Sequence, residues 1–491
     1  MREATVPQDV DPTLEGLEPE ALWARFDEIR RIPRPSRHEE RIRCYVIAFA
    51  EKHGCETVTD EAGNVVIRVP PREGCEGAPT VVLQGHLDMV CEKDAGTEFD
   101  FFEDSIQLRR EGDLLLARGT TLGADNGVAV AAGLALITDP PRLHGPLELL
   151  FTVDEETGLN GVRDLDPSIV TGRLLLNLDS EDEGTFTVAC VGARSSELNL
   201  PIGWEPSPLP AEAFRVRLAG ATGGHSGGDI HRGRVNVLRA LGELLGQVEG
   251  VRIATVTGGS VRNSIPREAE AVVLADPIVL EELAADARQR LGKDHGETDP
   301  NLALTVERLD QPPPRVFDGE TARNLLTILS RVPLGALSMS EELPGMVETS
   351  CNLATVRTGE SDVEILCSVR SALESERDKV VDEIASLGRA HGAAASAPEG
   401  YPGWRPDMSS PLLAKAIEVY RRLEGKDPEV VGVHGGLECA VLGAKIPEMD
   451  MISFGPDIAN PHSPSEQVSV GSVRRVLGDY LGALLQELAA N

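Results

Sequence analysis

Three consecutive carboxylates, Asp154, Glu155 and Glu156, end an apolar run that extends from Leu147 to Val153 between Pro146 and Gly158. Adjacent anions repel one another, so the cluster calls for a cation, and no Lys or Arg follows within six residues. A solvated acidic turn is the ordinary fate of such a run. What sets this one apart is that other segments end in the same way. His86 and Asp88 follow the apolar run from Thr80 to Leu83, and Asp179 closes the run that begins at Arg173. His462 follows Asp450 to Ser453 through Gly455-Pro-Asp-Ile-Ala-Asn-Pro-His-Ser463, and Asp125 lies in a glycine-rich loop, Gly119 to Gly127, ahead of an Ala-rich helical stretch. A lone histidine is more often a hydrogen-bonded core or surface residue than a ligand; joint placement at successive strand ends supplies the context that a single residue lacks. Imidazoles and carboxylates without thiolates suit a catalytic divalent cation, Zn²⁺ first, with Mn²⁺ or Co²⁺ as alternatives. The four charges of Asp125, Glu155, Glu156 and Asp179 balance two such ions, whereas one ion leaves an excess of two. Two ions bridged by a carboxylate, about 3.5 to 4 Å apart, turn a shared water into hydroxide near neutral pH. One of the two adjacent glutamates can then act as base while its neighbour ligates.

The elements that must position these residues alternate. Helical spacing runs over Glu20 to Ile32 and Arg37 to His53, broken by Pro33-Arg-Pro-Ser36. Short β-type runs cover Asn64 to Val69, Thr80 to Leu83, Leu114 to Arg118 and Leu147 to Val153, with a helix from Val128 to Thr138. This order predicts an α/β sheet whose strand ends converge on one crevice. After Gly184 the pattern becomes strands at Phe214 to Ala219, Arg252 to Val256, Ala269 to Ala275, Leu302 to Leu309, Ser350 to Val356 and Val363 to Arg370, with longer helices between them. A strand-helix-strand-strand-helix-strand order occurs twice there, which predicts an inserted α+β domain. The first pattern then resumes, ending in a helix from Val470 to Ala490. The expected organisation is a first domain built from residues 1–187 and 389–491, with residues 188–388 inserted.

Composition narrows the partners. The 491 residues carry 47 basic against 80 acidic side chains, net −33, a field that repels nucleic acid and anionic membranes. Eight scattered cysteines form no Cys-x-x-Cys pair, so neither a thiolate zinc site nor a disulfide framework is signalled. The first twenty residues lack a charged-then-apolar signal pattern, and the most continuous apolar stretch, Val128 to Ile137, is about half of what a membrane helix needs. A cytoplasmic chain without a transmembrane segment is expected.

Taken together, Gly85-His-Leu-Asp-Met-Val90, Leu122-Gly-Ala-Asp-Asn-Gly127, Val153-Asp-Glu-Glu-Thr-Gly158, Leu176-Asn-Leu-Asp-Ser180 and Asn460-Pro-His-Ser463 resemble the motifs of the co-catalytic zinc exopeptidase clan, in its aminoacyl-histidine dipeptidase branch. The resemblance extends from Pro33-Arg-Pro-Ser-Arg-His38 to the C-terminus. It implies a phosphorylase/hydrolase-like catalytic domain with an inserted lid and dimerisation domain. It also implies two metal ions, His86 and Asp179 on one, Glu156 and His462 on the other, and Asp125 bridging them. Glu155 would be the general base of a metal-bridged hydroxide, and Asp88 would orient the imidazole of His86. The Asp125-Asn126 peptide is often cis in this clan, and Asn126 stands where related branches more often have a second Asp. Gly223-Gly-His-Ser-Gly-Gly-Asp-Ile-His231, Arg262-Asn-Ser-Ile-Pro-Arg267 and Cys367-Ser-Val-Arg370 resemble the lid, where His225, Asn263 and Arg370 would meet the substrate. In His434-Gly-Gly-Leu-Glu-Cys439, Gly436 would let a substrate carboxylate approach the backbone. The implied activity is hydrolysis of unblocked dipeptides, Xaa-His and β-Ala-His included, by a homodimer, with His225 acting within its own chain or across the dimer. An N-acyl amino acid deacylase on the same scaffold and an inactive metal-binding dimeric scaffold are the alternatives.

Overall fold

The computed structural model describes residues 10–208 and 210–490; the remainder of the acidic N-terminus, Leu209 and Asn491 lie outside the described residues. The chain divides into two compact units. One contains the described residues up to Val188, then Pro406–Gly432 and the chain from Leu437 onward; the other contains Ala189–Arg405 and Val433–Gly436.

The first unit is organised by an eight-stranded sheet. Its centre is four parallel strands, Leu147–Thr152, Val81–His86, Leu174–Asn177 and Asp450–Ser453, in that spatial order. Val81 lies opposite both Leu147 and Leu174, and His86 lies opposite Thr152, so the three strands end at one edge of the sheet. All six residues of Val81–His86 and of Leu147–Thr152 are buried, as central strands covered on both faces must be. Antiparallel strands Val65–Val69 and Glu56–Thr59 extend the sheet on one side. Thr185–Cys190 and Glu429–Val433 extend it on the other.

The Ala-rich helix spans Ala124–Thr138 and is buried around nearly its whole circumference, which explains an apolar run too short for a membrane. It packs on Val81–His86 at close range: a Cβ at Gly85 would collide with the Asn126 side chain and reach Ala129 Cβ at 3.1 Å. Asp125 and Asn126 depart from helical backbone angles within the first turn, and the peptide between them is cis. Among the described residues no helix is long and apolar enough to cross a membrane.

Leu114–Ala117 is a strand, as its apolar pattern predicts, but it belongs to a separate four-stranded sheet with Leu108–Glu111, Gln467–Ser469 and Ile458–Ala459. Leu116 pairs with Gln467, and Ala459 pairs with Gln467 from the other side. This small sheet therefore anchors both the loop that leads to Asp125 and the segment that carries His462. The C-terminal helical region contains a π-helical stretch, Arg474–Tyr480, within the expected continuous helix.

The inserted unit is α+β. Its main sheet runs Ala303–Arg308, Ala213–Ala219, Ala269–Leu274, Arg252–Gly258, Val347–Thr358, Asp362–Ser371, Gly192–Pro201 and Ala394–Ser396, with Gly335–Met339 paired beside Val347–Thr358. Two strand-helix-strand-strand-helix-strand halves meet where Thr257 pairs with Arg357, and the first strand of the second half, Gly192–Pro201, precedes the first half in the chain. The helices Val237–Gln247, Pro277–His295, Gly319–Arg331 and Glu374–Ala390 share one apolar core with the strands, joining Leu241, Ala284, Leu325 and Ile384 to Val216, Val256, Leu353 and Val369.

The return to the first unit comes later than residue 389. Ala394–Ser396 pairs with Glu197–Asn199, and Tyr401 and Trp404 bridge to Ala193 and Cys190, which keeps residues up to Arg405 with the insertion. Val433–Gly436 also belongs with it. Pairing with the strand Gly192–Pro201 holds Ala394–Ser396 and Tyr401 to the insertion. That strand carries too many polar residues to stand out in a one-dimensional pattern.

Candidate active site

In the first unit, residues from five separate segments converge beyond the carboxyl ends of the parallel strands. His86 ends its strand and is almost fully buried; its Nε2 lies 3.0 Å from Asp125 Oδ1 and 3.4 Å from Asp179 Oδ1. His462 Nε2 lies 3.2 Å from Asp125 Oδ2 and 3.0 Å from Glu156 Oε2. Asp125 thus turns one oxygen to each imidazole. His86, Asp125 and Glu156 offer donor atoms within 4.8 Å of one another, a spacing that a metal ion can span.

Asp88 is fully buried behind this cluster. Its carboxylate accepts hydrogen bonds from Ser36 Oγ at 2.8 Å and from the backbone N–H groups of Glu155 and Glu156 at 3.1 and 3.2 Å. Asp88 Oδ1 also stands 3.3 Å from His86 Nδ1, within ion-pair distance but short of hydrogen-bond geometry. The carboxylate therefore ties the turn after Leu147–Thr152 to the one after Val81–His86. Asn126 adds a second tie, donating to Leu178 O at 3.0 Å and accepting from His86 N at 3.3 Å.

The electrostatics describe a site short of positive charge. Burial lifts the proton affinity of Glu155 well above the ordinary glutamate value, with Asp179, Glu438 and Glu156 adding to the effect and His86 opposing it. Burial likewise raises Asp179 to about 6 and Glu181 to about 8. Hydrogen bonds to Asp125 and Glu156 raise His462 to about 11, and the carboxylates around His86 hold it protonated well above its usual range although burial pulls the other way. The carboxylates around the two imidazoles thus favour positive charge at the place where cations would neutralise them. Among the described residues Glu156 Oε1 is buried without a hydrogen-bond partner, as an oxygen kept for a ligand would be. Oxygen and imidazole donors of this kind fit a pair of divalent ions.

Three residues to which the sequence reading gave no role support the cluster. Glu466, four positions after His462, accepts the N–H groups of Leu122, Gly123 and Asp125. Arg34 donates to the carbonyls of Leu87 and Asp88 at 3.0 and 2.6 Å and to that of Gly123. Glu438 accepts from Gln84 Nε2 at 2.5 Å and Thr152 Oγ1 at 2.8 Å, and its Oε1 has no hydrogen-bond partner. Arg34 and Glu438 lie within recognisable motifs and Glu466 just beyond one, but nothing in their spacing announces a long-range contact.

The four residues expected to meet substrate, His225, Asn263, Arg370 and Gly436, all belong to the inserted unit. His225 sits on a two-residue strand paired with Ser264–Ile265. Its Nδ1 lies 3.2 and 3.3 Å from the N–H groups of Gly227 and Gly228, so Nδ1 accepts and the neutral ring carries its proton on Nε2. Burial and the Arg370 charge lower its pKa, which favours this neutral form. Asn263 O accepts from Ser226 N at 2.8 Å, next to His225. Arg370 is buried; its Nη1 donates to Tyr401 OH at 3.2 Å and its Nε has no partner. The Tyr401 ring covers Gly436 so closely that a Cβ there would reach Cε2 at 2.9 Å, which gives this glycine a packing reason independent of any ligand.

A parallel-centred α/β sheet with imidazoles and carboxylates at its carboxyl edge, interrupted by an α+β unit, is the architecture of a metallopeptidase class. The model of "Peptidase family M20/M25/M40" matches residues 82–486, and the chain belongs to this family. It is similar to the cytosol non-specific dipeptidase of Escherichia coli (strain K12), with 40% identity over 486 residues, 97% of this chain and 99% of that protein. The crystal structure of aminoacylhistidine dipeptidase from Vibrio alginolyticus is similar throughout, with a TM-score of 0.90 and 36% identity, covering 96% of this chain and 97% of that one. Aminopeptidase PepT from Bacillus cereus shares the fold at 16% identity and a TM-score of 0.61, over 96% of this chain and 99% of that one.

Proposed function

We propose that this chain is a two-metal dipeptidase that cleaves unblocked dipeptides, Xaa-His and β-Ala-His among them, with Zn²⁺ at both positions. One observation carries the reading: Asp125 directs its two oxygens at two different imidazoles, His86 at 3.0 Å and His462 at 3.2 Å, and each imidazole has a second carboxylate within 3.4 Å. In this reading His86 and Asp179 would hold one ion, Glu156 and His462 the other, and Asp125 would serve both. When bound, such a pair makes water acidic near neutral pH and polarises a carbonyl oxygen. Glu155, whose burial raises its proton affinity, takes the proton from the attacking water and passes it to the leaving amine. Asp88 fixes the His86 ring and the backbone of both glutamates.

The inserted unit supplies the substrate contacts. The Nε2–H of His225 donates to the oxyanion that forms at the scissile carbonyl, Asn263 and Arg370 hold the substrate, and Gly436 lets its carboxylate near the backbone. Two copies pair through this unit, and His225 of one copy completes the site of the other. The names of the E. coli and Vibrio relatives support the dipeptidase activity, and the cytosolic name of the first supports a cytoplasmic location.

The test is an assay of chelator-stripped enzyme reloaded with Zn²⁺, Mn²⁺ or Co²⁺ against β-Ala-His, Leu-Gly and an N-acetyl amino acid. Turnover of the free dipeptides is expected. Turnover of the acetylated compound alone identifies a deacylase, and turnover of none of them with any metal identifies an inert scaffold.

A further inference from the structure

Glu466 is a buried carboxylate with an unusual set of partners. Its Oε2 accepts the N–H groups of Leu122 and Gly123 at 2.7 and 2.9 Å, and its Oε1 accepts that of Asp125 at 3.1 Å. A charged carboxylate 2% exposed is tolerated only when its lone pairs are occupied and a countercharge is near. The three N–H groups occupy the lone pairs, and Arg34, also buried, supplies the countercharge. Arg34 grips the same turn from its other side by donating to Gly123 O, and it grips the turn after His86 by donating to Leu87 O and Asp88 O. Gly123 has φ +69, and a Cβ there would reach Arg34 Nη2 at 2.5 Å, so the glycine is required by backbone angle and by the guanidinium alike.

The connectivity gives this clamp a meaning. Gln467, the next residue after Glu466, pairs with Leu116 and with Ala459, which locks the segment between Ala459 and Gln467 to the strand that leads into the Asp125 turn. That segment carries His462. One carboxylate thus fixes the backbone of Asp125 relative to His462, while Asp88 holds Glu155 and Glu156 beside His86 without it, and Asn126, next to Asp125, ties His86 to the strand end at Leu178.

We propose that Glu466 is a positioning residue for the metal pair, holding Asp125 and His462 in register; the position shared by His462 and Glu156, which uses both of these groups, depends on it more than the position at His86 and Asp179, which shares Asp125 alone. This inference rests on the two-metal reading above. Glu466→Gln keeps the size of the side chain but sets an amide NH₂ against one of the loop N–H groups. Titration of metal-free protein with Co²⁺, followed by visible absorbance and by metal content after desalting, reads both positions without reference to turnover. The wild type is expected to take two equivalents. Glu466→Gln is expected to bind the second about 10- to 100-fold more weakly, the usual loss when a ligand's supporting contact is removed, and to weaken the first by less. A merely structural role lowers the melting temperature equally with and without metal and leaves the second equivalent intact, and that result overturns the proposal. Should Glu466→Gln not fold, Glu466→Asp, which keeps the charge on a shorter arm, is read in the same way; failure of both to fold means that the carboxylate serves the fold rather than the second ion and likewise overturns it. If the wild type itself takes up only one equivalent, the two-metal reading fails, and this proposal with it.

Discussion

Glu156 Oε2 lies 3.0 Å from His462 Nε2, so the second of two adjacent glutamates faces the imidazole of the most distant chain segment. Its neighbour Glu155 has a proton affinity raised by burial and by three other carboxylates, the property of a base that must take up a proton near neutral pH. Glu155→Gln is therefore expected to retain full metal content and substrate binding while kcat falls by about 10²- to 10⁴-fold. Glu156→Gln is expected to lose metal on desalting. Metal analysis of the two desalted variants decides between the roles, and full content in Glu156→Gln with depletion in Glu155→Gln would reverse them.

Asp88 holds the two turns together through hydrogen bonds from Ser36, Glu155 and Glu156. Asp88→Asn removes the charge behind His86 and sets an amide NH₂ against one of the N–H donors. Activity is expected to fall by about 10- to 100-fold. The loss should appear in kcat more than in KM, since Asp88 is enclosed by these turns; steady-state kinetics on Leu-Gly read the split, and an effect confined to KM would count against this role.

Glu438 is fully buried, and burial pushes its pKa from 4.5 up to about 7, with Asp179 adding to the shift and the hydrogen bonds from Thr152 and Gln84 and the charge of His86 opposing it. The folded chain therefore keeps this proton to higher pH than the unfolded chain does. Between about pH 4.5 and 7 the folded state binds more protons, so this group's contribution to stability falls as pH rises. In chelator-stripped protein, Glu438→Gln is expected to flatten the decline of the melting temperature across that window. A wild-type and a variant profile that run parallel from pH 4.5 to 7 would exclude the effect.

His225 is assigned to the partner's site, and complementation tests it. Glu155→Gln and His225→Ala are each expected to be nearly inactive alone. A mixed dimer contains one site in which Glu155 of one copy meets His225 of the partner subunit, so mixing should restore activity. Mixed dimers seen by mass spectrometry without recovered activity would mean that His225 acts within its own chain or not at all.

The chemistry of this protein is legible along the chain because its reacting groups are local features of their elements. His86, the Asp154-Glu155-Glu156 run and Asp179 each follow a buried apolar strand directly, and parallel pairing brings those strand ends to one edge. His462 and Asp125 announce themselves less by strand than by motif, since each sits in a loop whose path depends on the small sheet formed by Leu108–Glu111, Leu114–Ala117, Ile458–Ala459 and Gln467–Ser469. What the sequence by itself determined is an α/β sheet interrupted by an α+β insertion, with candidate imidazoles and carboxylates at its strand ends. Tertiary structure alone decided which oxygen of Asp125 faces which imidazole, that Glu466 and Arg34 hold the Asp125 turn, and that the insertion reaches Arg405. The reason is physical: a strand end or an acidic run is a property of neighbouring residues, whereas a buried carboxylate finding three N–H groups, or Ala394–Ser396 finding Glu197–Asn199, depends on partners brought together only when the sheets have formed.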